Sequence, residues 1–579
     1  MFPNWLGRHY LSGTLIGVLV FVVYAGSLDN AFQYDDIHSI VENSHLRALG
    51  NIPAFFYQPE MFSADPRNAM YRPLVLVSYA LNHALSGYEV WSYHLFNLGV
   101  HLGASWLLWA LVCQLGGTRL EALLAGLLFA LHPLASEPVN YISSRSESLC
   151  AFFFLLAFLG YVRGGRRWLG VSLGAFAGAL LAKSVGLALL LVLLLYDFLF
   201  KRGEVNWERI RRRHSLFWLA GLAYLAGIWG AIDTAVVSHP VRSMAVQYLT
   251  QVKAALYYLK LLWMPQGLSV EHQFSLAGSL VDGPVLAALL CLGTAGALLL
   301  QRNAKETLFW AAWAGLTLLP SSAVPLNVLV NEHRLYLPAA AFAVLLSRVL
   351  VGLVARRGRV GGILVAVWLG SYGGLSWQRT QVWQSPEALW QDALRKGPHM
   401  PRPHLYVGDC HQQAGRHEEA LREYALVRTV YPALLSAGDQ LVSYNNQGTA
   451  YLALGRHAEA VESYRRALAI DPTYAKAREA LDALVALQEQ EWDPTAHALH
   501  KKGLMMLIEN RLGEAVPALE ESLRRQPRLE TYLALGMAWE KKGDAEKARW
   551  AYTSLRTLAP GSSFARTAEE KLKQLEGKK

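Results

Sequence analysis

Long uncharged runs separated by short basic clusters fill residues 10–380, whereas residues 385–579 are polar and rich in Ala, Glu, Arg and Leu. A helix needs about 17–25 apolar residues to cross a bilayer. Runs near that length lie at 10–28, 92–115, 119–133, 147–163, 167–182, 184–200, 215–233, 281–300, 306–322, 335–354 and 358–376. The pattern predicts an all-α protein. Residues 1–380 form a polytopic membrane bundle of about eleven spans, and residues 381–579 form a soluble helical domain. The first run follows Arg8 without a small-residue cleavage site and reads as an uncleaved span.

Sidedness follows from the basic residues, which accumulate in cytoplasmic loops. Arg163, Arg166 and Arg167 form one cluster, and Lys201, Arg202, Arg209, Arg211, Arg212 and Arg213 a second. Arg302 with Lys305, and Arg356 with Arg357 and Arg359, form two more. All fall on the cytoplasmic side if the N-terminus is inside, which turns loops 29–91, 132–146, 234–280 and 323–334 outward. Within 248–264, Leu249, Val252, Leu256, Leu259 and Trp263 recur every three or four residues, with Gln251, Lys253 and Lys260 between them. That amphipathic stripe suits a helix lying in the interface rather than crossing it. An odd number of spans then puts the tail outside with the long first loop, and the expected location is a bacterial inner membrane with a periplasmic tail.

The tail is repetitive. Tyr444, Gly448, Tyr451, Gly455, Ala460, Tyr464, Ala467 and Pro472 stand at tetratricopeptide-repeat (TPR) spacing, whose period is about 34 residues. Further copies carry Gly408, Ala420, Tyr424 and Pro432; Gly503, Ala515, Leu519 and Pro527; and Gly536, Ala548, Tyr552 and Pro560. Such repeats stack into an α-solenoid with a concave binding face.

Composition agrees: 53% of residues are hydrophobic, only 17% are charged, and mean hydropathy is +0.21. The net charge of +10 belongs to the topology clusters, and no basic stripe or zinc-ligand spacing points to nucleic acid. Cys113, Cys150 and Cys291 lie in apolar runs and Cys410 in the tail, which is no disulfide framework.

Candidate chemistry gathers in the outward loops. The first begins AFQYDDIHSIVEN. Asp35 or Asp36 suits a base toward an acceptor hydroxyl, or caps the next helix, and Asp36 with His38 could hold a divalent ion. Arg72 heads an apolar helix, as a phosphate ligand or a headgroup anchor. The second loop, LHPLASEPVNYISSRSESL, holds His132, Glu137, Arg145 and Glu147. Ionisable groups there are costly unless paired or solvated, and Glu147 and Arg145 could equally be an ion pair. Lys183 interrupts LLAKSVGLALLL, and Glu332, His333 and Arg334 precede a span. Arg334 has the planar donors that suit phosphate, with Glu332 positioned to orient it. Carboxylates and cations on one membrane face fit transfer from a membrane-soluble phosphate ester.

The motifs YDD, YRPL, HPLASEPVNYISSRSE, NEHRLYLP and WQSPEALWQDAL together resemble the transmembrane and TPR-repeat protein O-mannosyltransferases of the GT-C superfamily and their bacterial relatives. The resemblance implies inverting transfer of a sugar from a polyprenyl-phosphate-linked donor to a hydroxyl, here Ser/Thr of an exported protein. Asp36, with Asp35 close behind, would be the base and Glu137 a further catalytic group. Arg334, Lys183, Arg145 and Arg72 would bind the donor phosphate, with His38, Glu332 and His333 alongside. Ser184 replaces the Glu that relatives commonly carry after the lysine, which puts an acidic partner of Lys183 in doubt. Two other readings share these features: a glycosyltransferase acting on an envelope lipid or polysaccharide, and a non-enzymatic TPR scaffold.

Overall fold

The structure is a computed structural model that describes residues 10–201, 207–233, 241–301, 304–489, 492–560 and 562–576. Among these the secondary structure is helical and contains no strand. Two compact units divide between Lys396 and Gly397.

The first unit contains α1 (Tyr10–Tyr24), α2 (Pro73–Ser86), α3 (Val90–Gln114), α4 (Arg119–Leu131), α5 (Ser136–Asn140), α6 (Arg145–Arg163) and α7 (Gly165–Ala182). It continues with α8 (Ala188–Phe200), α9 (Trp207–Gly227), α10 (Met244–Trp263), α11 (Gly283–Gln301), α12 (Lys305–Ala323), α13 (Tyr336–Val382) and α14 (Pro386–Lys396). Among the described residues, five segments are long and apolar enough to cross a membrane: Tyr10–Asp29, Val90–Gln114, Ile142–Arg163, Gly283–Gln301 and Glu332–Val382. A sixth arises if Arg119–Leu131 and Pro133–Asn140, bent by 52°, count as one. This is a multi-pass membrane protein. The other runs expected to span are helical in α7, α8, α9 and α12 but are shorter or more polar. The last two expected spans are one helical element, α13, broken at Gly358, whose φ of 52° only glycine adopts readily.

Local chemistry sets the element ends. Thr118 caps α4 by accepting from the Glu121 amide, the Thr-x-x-Glu arrangement of a capping box. Glu121 also pairs with Arg348 at 2.8 Å, joining α4 to α13. Gly164 and Gly165, both at positive φ, turn α6 directly into α7. The two helices then approach closely, since a Cβ on Gly160 would lie 2.9 Å from the Trp168 carbonyl.

Helix α10 covers the predicted interfacial segment. Its buried face is polar as well as apolar: Gln247, Thr250, Gln251, Ala254, Tyr258 and Leu261. Gln247 donates to the carbonyls of Ser322 and Val324, and Gln251 to that of Leu329. Leu259 and Trp263, on the predicted apolar stripe, are exposed. Of the topology features, Arg202, Arg302 and residues 234–240 lie outside the described residues.

The expected boundary at residue 380 falls inside α13, and the first unit runs on through α14. Arg379 reaches Asp392 at 2.6 Å, Lys396 reaches Asp392 and the Leu268 carbonyl, and Trp390 meets Tyr34 edge-on at 5.7 Å. WQSPEALWQDAL therefore belongs to the membrane unit.

The second unit is a stack of helical hairpins: α15 (Pro401–Gln413) with α16 (His417–Val427), and α17 (Ala437–Ala453) with α18 (His457–Ile470). After α19 (Ala475–Glu489) come α20 (Pro494–Ile508) with α21 (Leu512–Arg525), α22 (Leu529–Lys542) with α23 (Ala545–Leu558), and α24 (Ser563–Glu576). One contact recurs in every hairpin. A Cβ on Gly408, Gly448 or Gly536 would lie 2.5–2.7 Å from the ring of Tyr424, Tyr464 or Tyr552, and one on Gly503 would lie 2.6 Å from Leu519. The missing side chain is what lets each ring lie flat on the facing helix.

Gly448→Ala should therefore destabilise the repeats by about 1–3 kcal/mol through overpacking. Gly438→Ala, in the same helix with only the Ser436 hydroxyl 3.8 Å away, should stabilise them by about 0.5 kcal/mol. Hydrogen exchange of α17 and α18 in the full chain separates the two, and equal effects would contradict the packing account.

Candidate functional site

The first loop is wound into short helical turns between Ile37 and Asn68 and pinned at its start. Asn30 donates to Asn140 at 2.9 Å, and Gln33 donates to the Trp383 carbonyl at 3.0 Å. Tyr34 sits at φ 43°, a left-handed conformation that is unfavourable for a bulky side chain. That turn sends Asp35 and Asp36 in different directions. Asp36 is fully buried. One carboxylate oxygen accepts from the Ser143 amide at 2.8 Å and hydroxyl at 2.5 Å, the other from the Gln33 amide at 2.9 Å. Asp35 keeps its side chain 37% exposed, 3.4 Å from His38 Nε2. Its own amide donates to the Tyr141 hydroxyl, and His38 Nδ1 meets the Ser63 hydroxyl at 3.0 Å.

A cavity of about 250 Å³ lies by the other end of the same second loop. Its polar lining includes Arg72, Glu147, Lys183, Ser184, His333 and Arg334. Lys183 forms an ion pair with Glu147. His333 bridges two carboxylates, with Nδ1 2.7 Å from Glu137 and Nε2 3.5 Å from Glu147. Arg72 donates to the Ser146 hydroxyl at 3.3 Å. Arg334 is held from behind by the Val328 and Leu329 carbonyls at 2.7 and 3.0 Å. Those two bonds use two of its five donors. Gln251 holds the same Leu329 carbonyl, so α10 braces the loop that carries Arg334.

Arg72, Lys183, His333 and Arg334 thus come together, with Glu137 behind His333. Asp35 and Asp36, with His38 beside Asp35, stand at the start of the segment whose end, Glu147, lines the cavity. The acidic partner of Lys183, absent at Ser184, is supplied by Glu147 from α6. The sequence shows the spacing of these residues but not this pairing.

Two expected site residues, the phosphate ligand Arg145 and the orienting Glu332, are committed elsewhere. Arg145 is completely buried, and its guanidinium donates to Asn97, Ser78, Asn82 and the Tyr93 carbonyl at 2.6–2.9 Å. It also lies over the rings of Tyr79 and Phe96. It clamps α2 and α3 to α6 rather than facing the cavity, and it does not pair with Glu147. Glu332 does not orient Arg334. It accepts from the Ser269 amide and lies 3.2 Å from His272, fastening the segment after α10. Among the described residues, no group of three His, Cys, Asp or Glu side chains converges as a metal site. Asp36 and His38 each turn to other partners, so they form no ready ligand pair.

Burial raises the Asp36 pKa to about 7, against the opposing pull of its hydrogen bonds to Ser143 and Gln33. Burial lowers the Lys183 pKa, and Glu147 pulls it back up. For Asp36 the linkage has a definite sign. A carboxyl with a raised folded-state pKa contributes stability that is fully present below its unfolded value, near 4, and lost as pH rises through about 7. Thermal stability of the purified chain should therefore fall across that interval, and the fall should shrink in Asp36→Asn. Parallel profiles for the two proteins would contradict this assignment.

Residues 400–473 and 509–563 match family models described as tetratricopeptide repeat. The chain is 24% identical to human protein O-mannosyl-transferase TMTC3 over 93% of its own length and 63% of the relative's. It is 27% identical to human protein O-mannosyl-transferase TMTC4 over 71% of this chain and 65% of that one. It thus spans somewhat under two thirds of the length of these relatives. A crystal structure of ArnT from Cupriavidus metallidurans bound to undecaprenyl phosphate aligns over 81% of this chain and 80% of that one at 15% identity. Its TM-score of 0.37 is too low to carry chemistry across. By sequence, over most of its length, the chain is similar to the protein O-mannosyl-transferases TMTC3 and TMTC4.

Proposed function

We propose that this protein is an inverting glycosyltransferase that moves a sugar from a polyprenyl-phosphate-linked donor to a Ser/Thr hydroxyl of an exported protein. One observation carries the reading. The segment Tyr141–Glu147 holds the YDD turn at one end and enters a cationic cavity at the other. This supports a base and a phosphate site carried on one short, mostly buried piece of chain. The protein O-mannosyl-transferases to which the chain is similar support the reaction class.

In this mechanism the donor phosphate sits among Arg334, Lys183 and Arg72. The acceptor oxygen attacks the anomeric carbon, its proton passes to a carboxylate, and the bond from that carbon to the phosphate oxygen breaks. The cations stabilise the charge that develops on the leaving phosphate. Geometry favours Asp35 over Asp36 as the base. A base must reach the acceptor hydroxyl, and Asp36 is buried with both oxygens engaged, whereas Asp35 is open and beside His38. Asp36 then positions the turn. Glu137 acts through His333, fixing the ring that separates the two carboxylates. A divalent metal is not required by this scheme.

With eleven spans and a cytoplasmic N-terminus, the first loop and the TPR tail share the periplasmic side. The solenoid's concave face then recruits the protein acceptor. A tail that receives polypeptide favours a protein acceptor over an envelope lipid or polysaccharide, and an outward cluster of buried ionisable groups favours an enzyme over a scaffold.

Transfer from a polyprenyl-phosphate-linked hexose to a Ser/Thr peptide by the purified full chain tests this. Asp35→Asn should lower kcat by about 10²–10⁴-fold, the span of general-base catalysis. Arg334→Gln should weaken donor use. Wild-type activity in Asp35→Asn would refute the base assignment, and no transfer to any peptide by wild type would refute the acceptor class.

A further inference from the structure

Arg379, in the last turn of α13, is 5% exposed and commits only one edge of its guanidinium. Nη1 donates to Asp392 at 2.6 Å, whereas Nε and Nη2 are buried with no hydrogen-bond partner. Arginine carries five N–H donors in a planar fork, so the donors on its other edge are left for a second acceptor. The charges around it point the same way. Asp392 Oδ2 also takes Lys396 Nζ at 2.7 Å, so one carboxylate faces two cations. A buried cation is costly unless further negative or hydrogen-bonding groups answer it.

Two carboxylates stand ready to do so. Glu137 uses Oε1 on His333 Nδ1, and its Oε2 is buried with no partner. Glu332 uses Oε1 on the Ser269 amide, and its Oε2 is buried in the same condition. Each of these glutamates is 1% exposed. Glu137 interacts electrostatically with Arg379, Glu332 and His272, and Lys396 does so with Arg379 and Glu332. Yet the carboxylate in direct contact with Arg379 is Asp392, and neither glutamate reaches it. Groups of opposite charge thus face one another without touching, each with a buried polar atom to satisfy. Three more such atoms lie alongside: Asn30 Oδ1, Gln33 Oε1 and Trp383 Nε1. Gln33 donates to the Trp383 carbonyl, Asn30 to that of Thr380, and the Arg379 guanidinium lies 5.9 Å from the Trp383 ring centroid. Buried water settles between polar groups of this kind, donating to some and accepting from others.

We infer that Arg379 is a positioning residue of the candidate site, holding Glu137 Oε2 through ordered water and thereby fixing the His333 ring. Glu137 faces two ways, toward His333 through one oxygen and toward Arg379 through the other. His333 in turn lies 3.5 Å from Glu147, the partner of Lys183. A cation at the end of α13 is in this way connected to the one that would meet the donor phosphate. Arg379 itself touches no substrate. The consequence for donor binding rests on reading the Lys183 cavity as the donor site, whereas the water-bridged contact does not.

The test uses the full chain purified in detergent. A cryo-EM map fine enough to show water should place at least one between Arg379 and Glu137 in the wild type. Binding of polyprenyl phosphate supplies the second readout, and it needs no transfer activity. Arg379→Met should weaken that binding about tenfold, and Arg379→Lys should recover most of the loss by restoring the charge. Glu137→Gln should weaken it too, and Arg379→Met added to Glu137→Gln should cost nothing more, because one residue acts through the other. Losses that simply add, or a lysine variant no better than the methionine one, would overturn the proposal. So would a wild-type map with no water between the two side chains, and that map decides the matter even if Arg379→Met fails to fold. A wild type that shows the bridging water but binds no polyprenyl phosphate would refute the donor-site reading and leave the contact standing.

Discussion

Four ionisable side chains in series, Glu137, His333, Glu147 and Lys183, hold the membrane unit together at its candidate site. They come from the bent α4–α5 segment, the turn before α13, the start of α6 and the link between α7 and α8. A buried ion of this kind is tolerated only when it is paired, and removing one partner from a buried pair costs about 3–5 kcal/mol. The series therefore fixes four segments at once, and every other cavity group is placed relative to it. Arg72 reaches Ser146, one residue from Glu147, and Arg334 follows His333 directly in sequence.

The same second loop carries the carboxylate turn. Ser143 binds Asp36 through both its amide and its hydroxyl, and Tyr141 stacks on Trp383 at a ring spacing of 5.5 Å. That stacking explains why WQSPEALWQDAL is part of the membrane unit: Trp383, Trp390 and Asp392 build the floor beneath the first loop. Arg145 has a related structural duty. A guanidinium that satisfies four acceptors inside the bundle keeps α2, α3 and α6 in register, and this register sets where Ser143 and Glu147 stand.

Much of this was legible in the sequence. Apolar runs and TPR spacing announced the helices, since both are local periodicities. Ionisable residues in the loops expected to face outward pointed to a candidate site, because such groups are costly near a membrane unless paired or solvated. The pairings were not legible, because they join residues far apart in the chain. Arg145 looked like a phosphate ligand until its acceptors on α2 and α3 were visible. Lys183 looked unpartnered because Ser184 follows it, while its carboxylate lies 36 residues earlier. By position Asp36 was the favoured base, with Asp35 close behind it. The left-handed turn at Tyr34 separates them, burying one and leaving the other open. The extent of the membrane unit was misread for a similar reason, since α14 is amphipathic like a repeat helix but spends its buried face on Tyr34 and Arg379.

The central claim is that one short segment joins a base to a phosphate site. A cryo-EM structure of the full chain with a polyprenyl-phosphate-linked sugar tests it most directly. The account predicts the phosphate between Lys183 and Arg334, with the anomeric carbon turned toward Asp35. A phosphate bound away from both cations, or an anomeric carbon facing away from the YDD turn, would contradict it.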